Sequence, residues 1–100
     1  MSSDAFFRMT VKDVFSIAKR GTVVTGTVEA GSLKTGDEVL IRGQGGEKKA
    51  LVTGIESFRK TIGQANAGDN IGVLLKDLNK TDVAPGDVLV GSGSEFSWNP

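Results

Sequence analysis

Cysteine and histidine are both absent from the 100-residue chain. Without them the chain cannot form disulfides, thiolate or imidazole metal sites, cysteine nucleophiles or a Ser-His-Asp triad. The neighbouring carboxylates Asp37 and Glu38 do not form an acid-base pair, because adjacent strand residues point to opposite faces. We therefore expect a protein that is not an enzyme, with no catalytic residues, no metal and no cofactor.

Long apolar runs are also lacking, since none approaches the roughly 20 residues that span a bilayer. The polar start Met1-Ser2-Ser3-Asp4 has none of the features of a signal peptide. These absences predict a soluble, cytoplasmic protein without a membrane partner. The surface composition is ordinary, which favours a monomer.

Neither sign of charge is in excess, because 12 basic residues balance 12 acidic ones. A strong sequence-independent nucleic-acid binder relies on surplus Lys and Arg to displace phosphate counterions, so this balance argues against one. The basic pairs are Lys19-Arg20, Lys48-Lys49 and Arg59-Lys60. They either form a local patch or lie at solvated strand ends and turns.

Short runs rich in Val, Ile, Thr and Phe alternate with glycines about every ten residues, a pattern typical of an all-β sandwich or barrel. The two prolines, Pro85 and Pro100, interrupt none of these runs. The predicted strands are Phe6 to Ile17, Thr22 to Glu29, Glu38 to Gly43, Lys48 to Lys60, Asn70 to Leu75 and Val88 to Gly91. Little in the sequence supports a helix.

The pair Gly-Asp occurs three times just before an apolar run, at Gly36-Asp37, Gly68-Asp69 and Gly86-Asp87. Glycine supplies positive φ and aspartate bonds nearby backbone, so each pair predicts a turn that leads into a strand. The irregular spacing around Gly54 and Glu56 predicts a β-bulge that redirects side chains.

The stretch RGTVVTGTV, residues 20–28, nearly spells the phosphate-binding loop G-x-x-x-x-G-K-[ST]. Such a loop needs a lysine after the second glycine and a helix after that. Here Thr27 replaces the lysine, Gly31 follows too soon for a helix, and the intervening β-branched residues favour an extended chain. We interpret the stretch as a strand in which Gly26 permits close approach.

Four separated blocks resemble one known family, and they are VKDVFSIAKRGTVVTGTVEAGSLKTGDEVLI, TGIESFRK, AGDNIGVLL and PGDVLV. In order and spacing they are similar to the second domain of elongation factor Tu and related translational GTPases. The resemblance runs from about Met9 to Gly91. It implies an antiparallel Greek-key β-barrel of six to seven strands over residues 1–91, followed by a flexible tail over residues 92–100.

In this family the barrel holds the 3′ end of aminoacyl-tRNA, and the resemblance implies two sets of binding residues here. The RNA-end set is Ile17, Val23, Glu56 and Leu74, with Arg59 close to the acceptor end. The aminoacyl set is Asp13, Phe15, Thr25 and Asn70. Aliphatic side chains can form a flat apolar surface for a base, and a carboxylate at its edge can accept a hydrogen bond.

The same residues also have structural explanations. Core packing accounts for Ile17, Val23, Leu74 and Phe15 if they face the barrel interior, and Asn70 suits a turn after Gly68-Asp69. Lys12 departs from the family pattern, in which the best-known bacterial members carry Glu before Asp-Val-Phe. A positive charge there disfavours the cationic α-amino group of an aminoacyl end.

These observations predict a translation-associated barrel that binds a tRNA acceptor end or ribosomal RNA without catalysis. One alternative is a protein-interaction module that contacts a GTPase or another protein. A second alternative is that the chain is an excerpt of a longer translational GTPase, although Met1 and the tail outside the resemblance favour a stand-alone domain.

Overall fold

The computed structural model describes residues 7–17, 21–43, 46–57, 60–76 and 78–91. Over these residues the chain forms ten β-strands and a single-turn 3₁₀ helix, Lys80–Asp82. The strands are β1 (Arg8–Thr10), β2 (Asp13–Ile17), β3 (Gly21–Ala30), β4 (Ser32–Lys34), β5 (Glu38–Gly43), β6 (Gly46–Ser57), β7 (Lys60–Ile62), β8 (Gln64–Asn66), β9 (Asn70–Lys76) and β10 (Val88–Gly91). No helix in the described part of the chain is long and apolar enough to cross a membrane.

Six strands close into an antiparallel barrel in the order β1-β10-β5-β6-β9-β3, and β3 pairs back with β1. The barrel strands β5, β6 and β9 follow one another, and β3, which precedes them, lies beside β9 as in a Greek key. Strand β2 pairs with β3, β7 pairs with β6, and β4 and β8 form a separate two-stranded sheet. The predicted all-β barrel is therefore confirmed.

The barrel interior is filled by one residue in two from each strand, because successive strand side chains point to opposite faces. In β3, Thr22, Val24 and Val28 are buried, whereas Val23 and Thr25 between them are half-buried and face outward. The fully buried core side chains from the other strands include Met9, Leu33, Val39, Ile41, Val52, Ile55, Ala65, Val73, Leu75 and Leu89. The alternation of buried and exposed residues thus separates inside from outside positions in β3, β5, β9 and β10.

The prediction of one strand over Phe6–Ile17 is wrong, because the chain changes pairing partner at Val11. There the backbone N–H of Val11 donates to the carbonyl oxygen of Asp87 (2.8 Å), and the Val11 carbonyl accepts from the N–H of Gly86 (2.8 Å). The N–H of Lys12 then donates to the carbonyl of Thr25 (2.7 Å), which starts the pairing of β2 with β3.

The prediction of one strand over Lys48–Lys60 is also wrong at its ends. Strand β6 begins at Gly46 and ends at Ser57, and β7 turns back to pair Thr61 with Glu56. The register of β6 against β9 shifts between Val52 and Gly54, which confirms the predicted bulge. The three-residue strands β4, β7 and β8 were not predicted, because each has only one apolar residue and is too short to show an alternating pattern.

The three Gly-Asp turns share one hydrogen-bond pattern, which confirms their prediction as turns. The glycines have φ of 99° at Gly36, 96° at Gly68 and 98° at Gly86. Each aspartate carboxylate accepts from the N–H three residues earlier, at 2.8 to 3.0 Å. Each turn also exchanges two backbone hydrogen bonds with one core valine, and these valines are Val52, Val28 and Val11. The turns therefore anchor β5, β9 and β10 to the core.

Residues 21–28 of the stretch that resembles a phosphate loop lie in β3, so the interpretation as a strand is confirmed. At Gly26 an added Cβ would collide with the carbonyl oxygen of Thr10 and lie 3.0 Å from the Met9 side chain. Gly26 is therefore a point at which the segment between β1 and β2 packs directly on the backbone of β3.

Candidate nucleic-acid interface

The outward-facing residues of β2, β3, β9 and β6 form a continuous surface, which we call the outer face. Across its centre runs the apolar row, in which Phe15 pairs with Val23, Val23 with Leu74 and Leu74 with Gly54. Directly paired residues have Cβ atoms about 5 Å apart, so three apolar side chains lie in contact distance along this row. Phe15 is 53% exposed, and Val23 and Leu74 are half-buried.

The next outward-facing residues along the strands form the acidic row. In it Asp13 pairs with Thr25, Thr25 with Gly72 and Gly72 with Glu56. The side chains of Asp13 and Glu56 are exposed, so the row ends in a carboxylate on each side. Glu56 reaches this face because the bulge in β6 shifts the register after Val52.

On the other side of the apolar row lies the lysine row, which comprises Ile17, Gly21, Lys76 and Leu51. Ile17 pairs with Gly21, and Lys76 pairs with Leu51. Gly21 lies beside Lys76, since a Cβ added at Gly21 would be 3.7 Å from the Lys76 Cα. Ile17 and Leu51 are each 37% exposed, so this row also presents apolar surface to solvent.

Two glycines open a hollow in the outer face. Gly72 lies between Thr25 and Glu56, and Gly54 lies beside Leu74. A Cβ at Gly72 would be 3.5 Å from Val23 Cγ1, and one at Gly54 would be 3.7 Å from Leu74 Cβ. Because neither residue has a side chain, the outer face is lower over Gly72 and Gly54 than at the neighbouring Val23, Leu74 and Glu56. We call this space the hollow.

Three of the five residues of the predicted RNA-end set border the hollow, and a fourth, Ile17, lies on the same outer face. Val23 and Leu74 face each other across β3 and β9, Glu56 lies one row away, and Ile17 lies one row away on the other side. Core packing does not account for Ile17, Val23 or Leu74, because all three point away from the barrel interior. Arg59, the fifth residue, lies outside the described residues, as do Phe58 and the pair Lys19-Arg20.

The predicted aminoacyl set is also brought together. Asp13, Thr25 and Asn70 line a shallow depression of about 330 Å³ at the edge of the acidic row, together with Lys12. The Asn70 side-chain oxygen accepts a hydrogen bond of 2.5 Å from the Thr27 hydroxyl. Phe15 lies beside this depression in the apolar row, and its exposure excludes a core role. Lys12 and Asp13, of opposite charge, therefore line the same depression.

A larger depression of about 850 Å³ lies between the β5–β6 hairpin and the segment that leads into β10. Its carboxylates already have partners, because Asp82 pairs with Lys48 (2.9 Å) and Asp87 accepts from the N–H of Ala84 (3.0 Å). Within the described residues, no three side chains of the metal-binding types lie close enough together to hold a metal ion. The outer face is therefore the stronger candidate for a binding site.

A comparison with protein families bears on this face. The family model described as elongation factor Tu domain 2 matches residues 21–90. The chain belongs to the elongation factor Tu domain 2 family. The match covers β3 to β9 and most of β10, and thereby three of the four strands of the outer face. Membership makes the chain a translation-factor-associated β-barrel, of a domain type that is itself non-catalytic.

Sequence reasoning placed a bulge near Gly54 but did not find Gly72 or Lys76, which also shape the outer face in this member of the elongation factor Tu domain 2 family. Gly54 and Gly72 open the hollow, and Lys76 lies next to it. A signal for Gly72 was present, because an isolated glycine within an apolar strand indicates close approach of another group to the backbone. For Lys76 no sequence signal existed, since its position follows from the pairing of β9 with β6.

Proposed function

We propose that this barrel is a non-catalytic, translation-associated module that binds the unpaired end of an RNA in the hollow. A tRNA acceptor end and an exposed end of ribosomal RNA both fit this description. The observation that carries the proposal is the pairing of Val23 with Leu74 on the outside of the barrel. Gly72, which has no side chain, lies beside this pair in the next row. The cytoplasm is the expected setting.

The chemistry of the hollow suits a base. Val23 and Leu74 present a flat apolar surface, and unstacked bases in single-stranded RNA are recognised by such contacts. Glu56 is exposed at the rim and can accept a hydrogen bond from an exocyclic amino group or a ribose hydroxyl. Affinity from one base is expected to be weak, because a small contact area must offset the entropy lost on binding.

The charge at the neighbouring depression bears on what the RNA end carries. Lys12 lines this depression with Asp13, so the site offers a cation where an attached aminoacyl group would lie. A free α-amino group is positively charged and is repelled by Lys12. We therefore expect an unacylated or N-acylated RNA end to bind better than one with a free α-amino group.

The first test is a titration of isotope-labelled protein with a short RNA that ends in CCA, followed by NMR. Shifts should be confined to Ile17, Val23, Glu56, Leu74 and their neighbours. Leu74→Ser should weaken binding about fivefold to tenfold through loss of apolar contact. Val90→Ser is the matched control, because Val90 is also half-buried on a barrel strand but lies in β10, away from the hollow. No shift at millimolar RNA would overturn the proposal.

A second test fills the hollow. Gly72→Leu should abolish the shifts, because its side chain would occupy the space between Val23 and Glu56. Gly72→Ala is the control for folding, since its Cβ would make only ordinary contacts of 3.5 Å with Val23 and 3.8 Å with Thr25. Undiminished RNA binding by a folded Gly72→Leu variant would exclude the hollow as the site.

The alternative module, one that binds a GTPase or another protein, is favoured by the exposed Phe15 and by the equal numbers of acidic and basic residues. Under that alternative the RNA titration gives no shifts. Phe15→Ser would then weaken capture of a purified translational GTPase, whereas Val90→Ser would not.

A further inference from the structure

The lysine row extends the outer face beyond the space that one base needs. Among the described residues, three large hydrophobic side chains are exposed, Phe15, Ile17 and Leu51, and all three lie on the outer face. Exposed apolar side chains that share one surface make it a candidate binding site. Phe15 belongs to the apolar row, but Ile17 and Leu51 flank Lys76 in the next row and are not needed to hold a single base.

Lys76 lies between these two apolar residues, and it is the next outward-facing residue of β9 after Leu74, which borders the hollow. It is two residues from Leu74 on the same face of β9, a distance of about 6.6 Å. Within the described part of the chain Lys76 belongs to none of the ion pairs, which are Arg8–Glu29, Arg42–Glu47 and Lys48–Asp82. Its ammonium group is therefore available to an anionic ligand next to the hollow.

We propose that the lysine row is a second nucleotide subsite, in which Lys76 contacts the phosphodiester that joins a base in the hollow to a base over Leu51. This inference rests on the proposed function and makes the ligand a single-stranded RNA end of two nucleotides or more. Apolar contacts for bases combined with a cation for the backbone are typical of single-strand recognition.

The far end of the row limits the length of the ligand on this face. Glu38 pairs with Leu51 on the side away from Lys76, and its side chain is exposed. A carboxylate there repels a further phosphate. The charges along the row thus favour one phosphodiester at Lys76 and disfavour a second one beyond Leu51.

The test compares adenosine with the dinucleotide CpA by NMR titration of the full chain. CpA should bind about fivefold more tightly than adenosine, since it adds one ion pair and one apolar base contact. Lys76→Ala should reduce this gain to about twofold, and a neutral methylphosphonate form of CpA should do the same. Lys34→Ala is the matched control, because Lys34 is an exposed strand lysine in β4, outside the barrel sheet.

Two further measurements separate the charge from the base contact. The logarithm of the CpA binding constant should fall with the logarithm of salt concentration with a slope of about −0.7, as for one neutralised phosphate on a single strand, and Lys76→Ala should remove this slope. Leu51→Ser should weaken CpA binding and leave the slope unchanged. Lys76 and Leu51 are at the surface, so both variants are expected to fold.

The outcomes distinguish the two proposals. If adenosine shifts Val23 and Leu74 but CpA binds no more tightly, the second subsite is wrong and the hollow stands. A gain that survives both Lys76→Ala and the methylphosphonate also overturns the subsite, because Lys76 then makes no contact with the phosphodiester. If neither ligand causes shifts at millimolar concentration, both proposals fail.

Discussion

The backbone carbonyl of Thr10 lies against Gly26, where the chain passes from β1 to β2 across β3. There is no room for a Cβ at Gly26, because it would meet both this oxygen and the Met9 side chain. The second glycine of the stretch that resembles a phosphate loop is thus required by packing.

Gly26→Ala should therefore destabilise the fold by about 1–3 kcal/mol, the usual effect of forcing an extra methyl into packed structure. Gly72→Ala, in another strand, should change the free energy of unfolding little, since its Cβ makes ordinary contacts. Urea unfolding of both variants checks this. Equal stability of the two would contradict the close contact at Gly26.

Thr22 is the buried polar side chain among the described residues, and its hydroxyl donates to the carbonyl oxygen of Leu78 (2.6 Å). Thr22→Val keeps the shape but leaves this carbonyl without its donor, so we expect a loss of about 1–3 kcal/mol in the free energy of unfolding. Thr22→Ser keeps the hydroxyl and loses one methyl, worth about 0.8 kcal/mol. A smaller loss for Thr22→Val than for Thr22→Ser in thermal or urea unfolding would show that the hydrogen bond does not stabilise the fold.

The turn glycines are expected to tolerate substitution poorly. Gly86 has φ of 98°, a conformation that side chains with a Cβ rarely adopt. Gly86→Ala should cost about 1–3 kcal/mol through backbone strain, although no atom lies within 4 Å of the added Cβ. Gly63→Ala is the control, since Gly63 has equal space and no positive φ. Thermal denaturation should show a lower Tm for Gly86→Ala alone.

Two surface carboxylates, Glu29 and Asp82, should make stability depend on pH under acidic conditions. Hydrogen bonding from Thr10, together with Arg8, holds the pKa of Glu29 below its ordinary value of 4.5. The backbone N–H of Asn79 and the ammonium group of Lys48 lower the pKa of Asp82 from 3.8. A pKa lowered by folding contributes stability above the ordinary value, and this stability is lost as pH falls through the folded value.

We therefore expect the free energy of unfolding to fall as pH decreases below about 4.5. The effect should be modest, because Glu29 is exposed and Asp82 is only half-buried. A variant with Glu29→Gln and Asp82→Asn should lose less stability between pH 5 and pH 3 than the unaltered chain. An identical pH dependence of the two proteins in urea unfolding would contradict the assignment.

Much of the fold was predictable from local patterns. Strands β5 and β10 have the predicted boundaries, β3 is one residue longer than predicted at each end, and β9 is one residue longer at its C-terminal end. The Gly-Asp turns were recognisable because glycine and aspartate have distinct backbone chemistry. The break at Val11 was not predictable, because it depends on hydrogen bonds to a turn that lies more than 70 residues away in sequence.

The candidate site was likewise predictable only in part. That Val23 and Thr25 share one face follows from strand alternation, and the bulge near Gly54 was visible as a break in that alternation. Which face lies outside was not visible, and core packing was the competing explanation for Ile17, Val23 and Leu74. Alternation gives two faces but does not say which one the barrel encloses.

Composition and periodicity alone predicted an all-β chain that lacks cysteine and histidine chemistry. They also predicted strands and turns near their observed positions. The closure of the barrel determined which residues lie side by side on the outer face. It placed Val23 beside Leu74, Gly72 beside Glu56 and Lys76 beside Leu51, although these pairs are 51, 16 and 25 residues apart in sequence. Such pairings depend on register between distant strands, and register is determined by which side chains the closed barrel buries together.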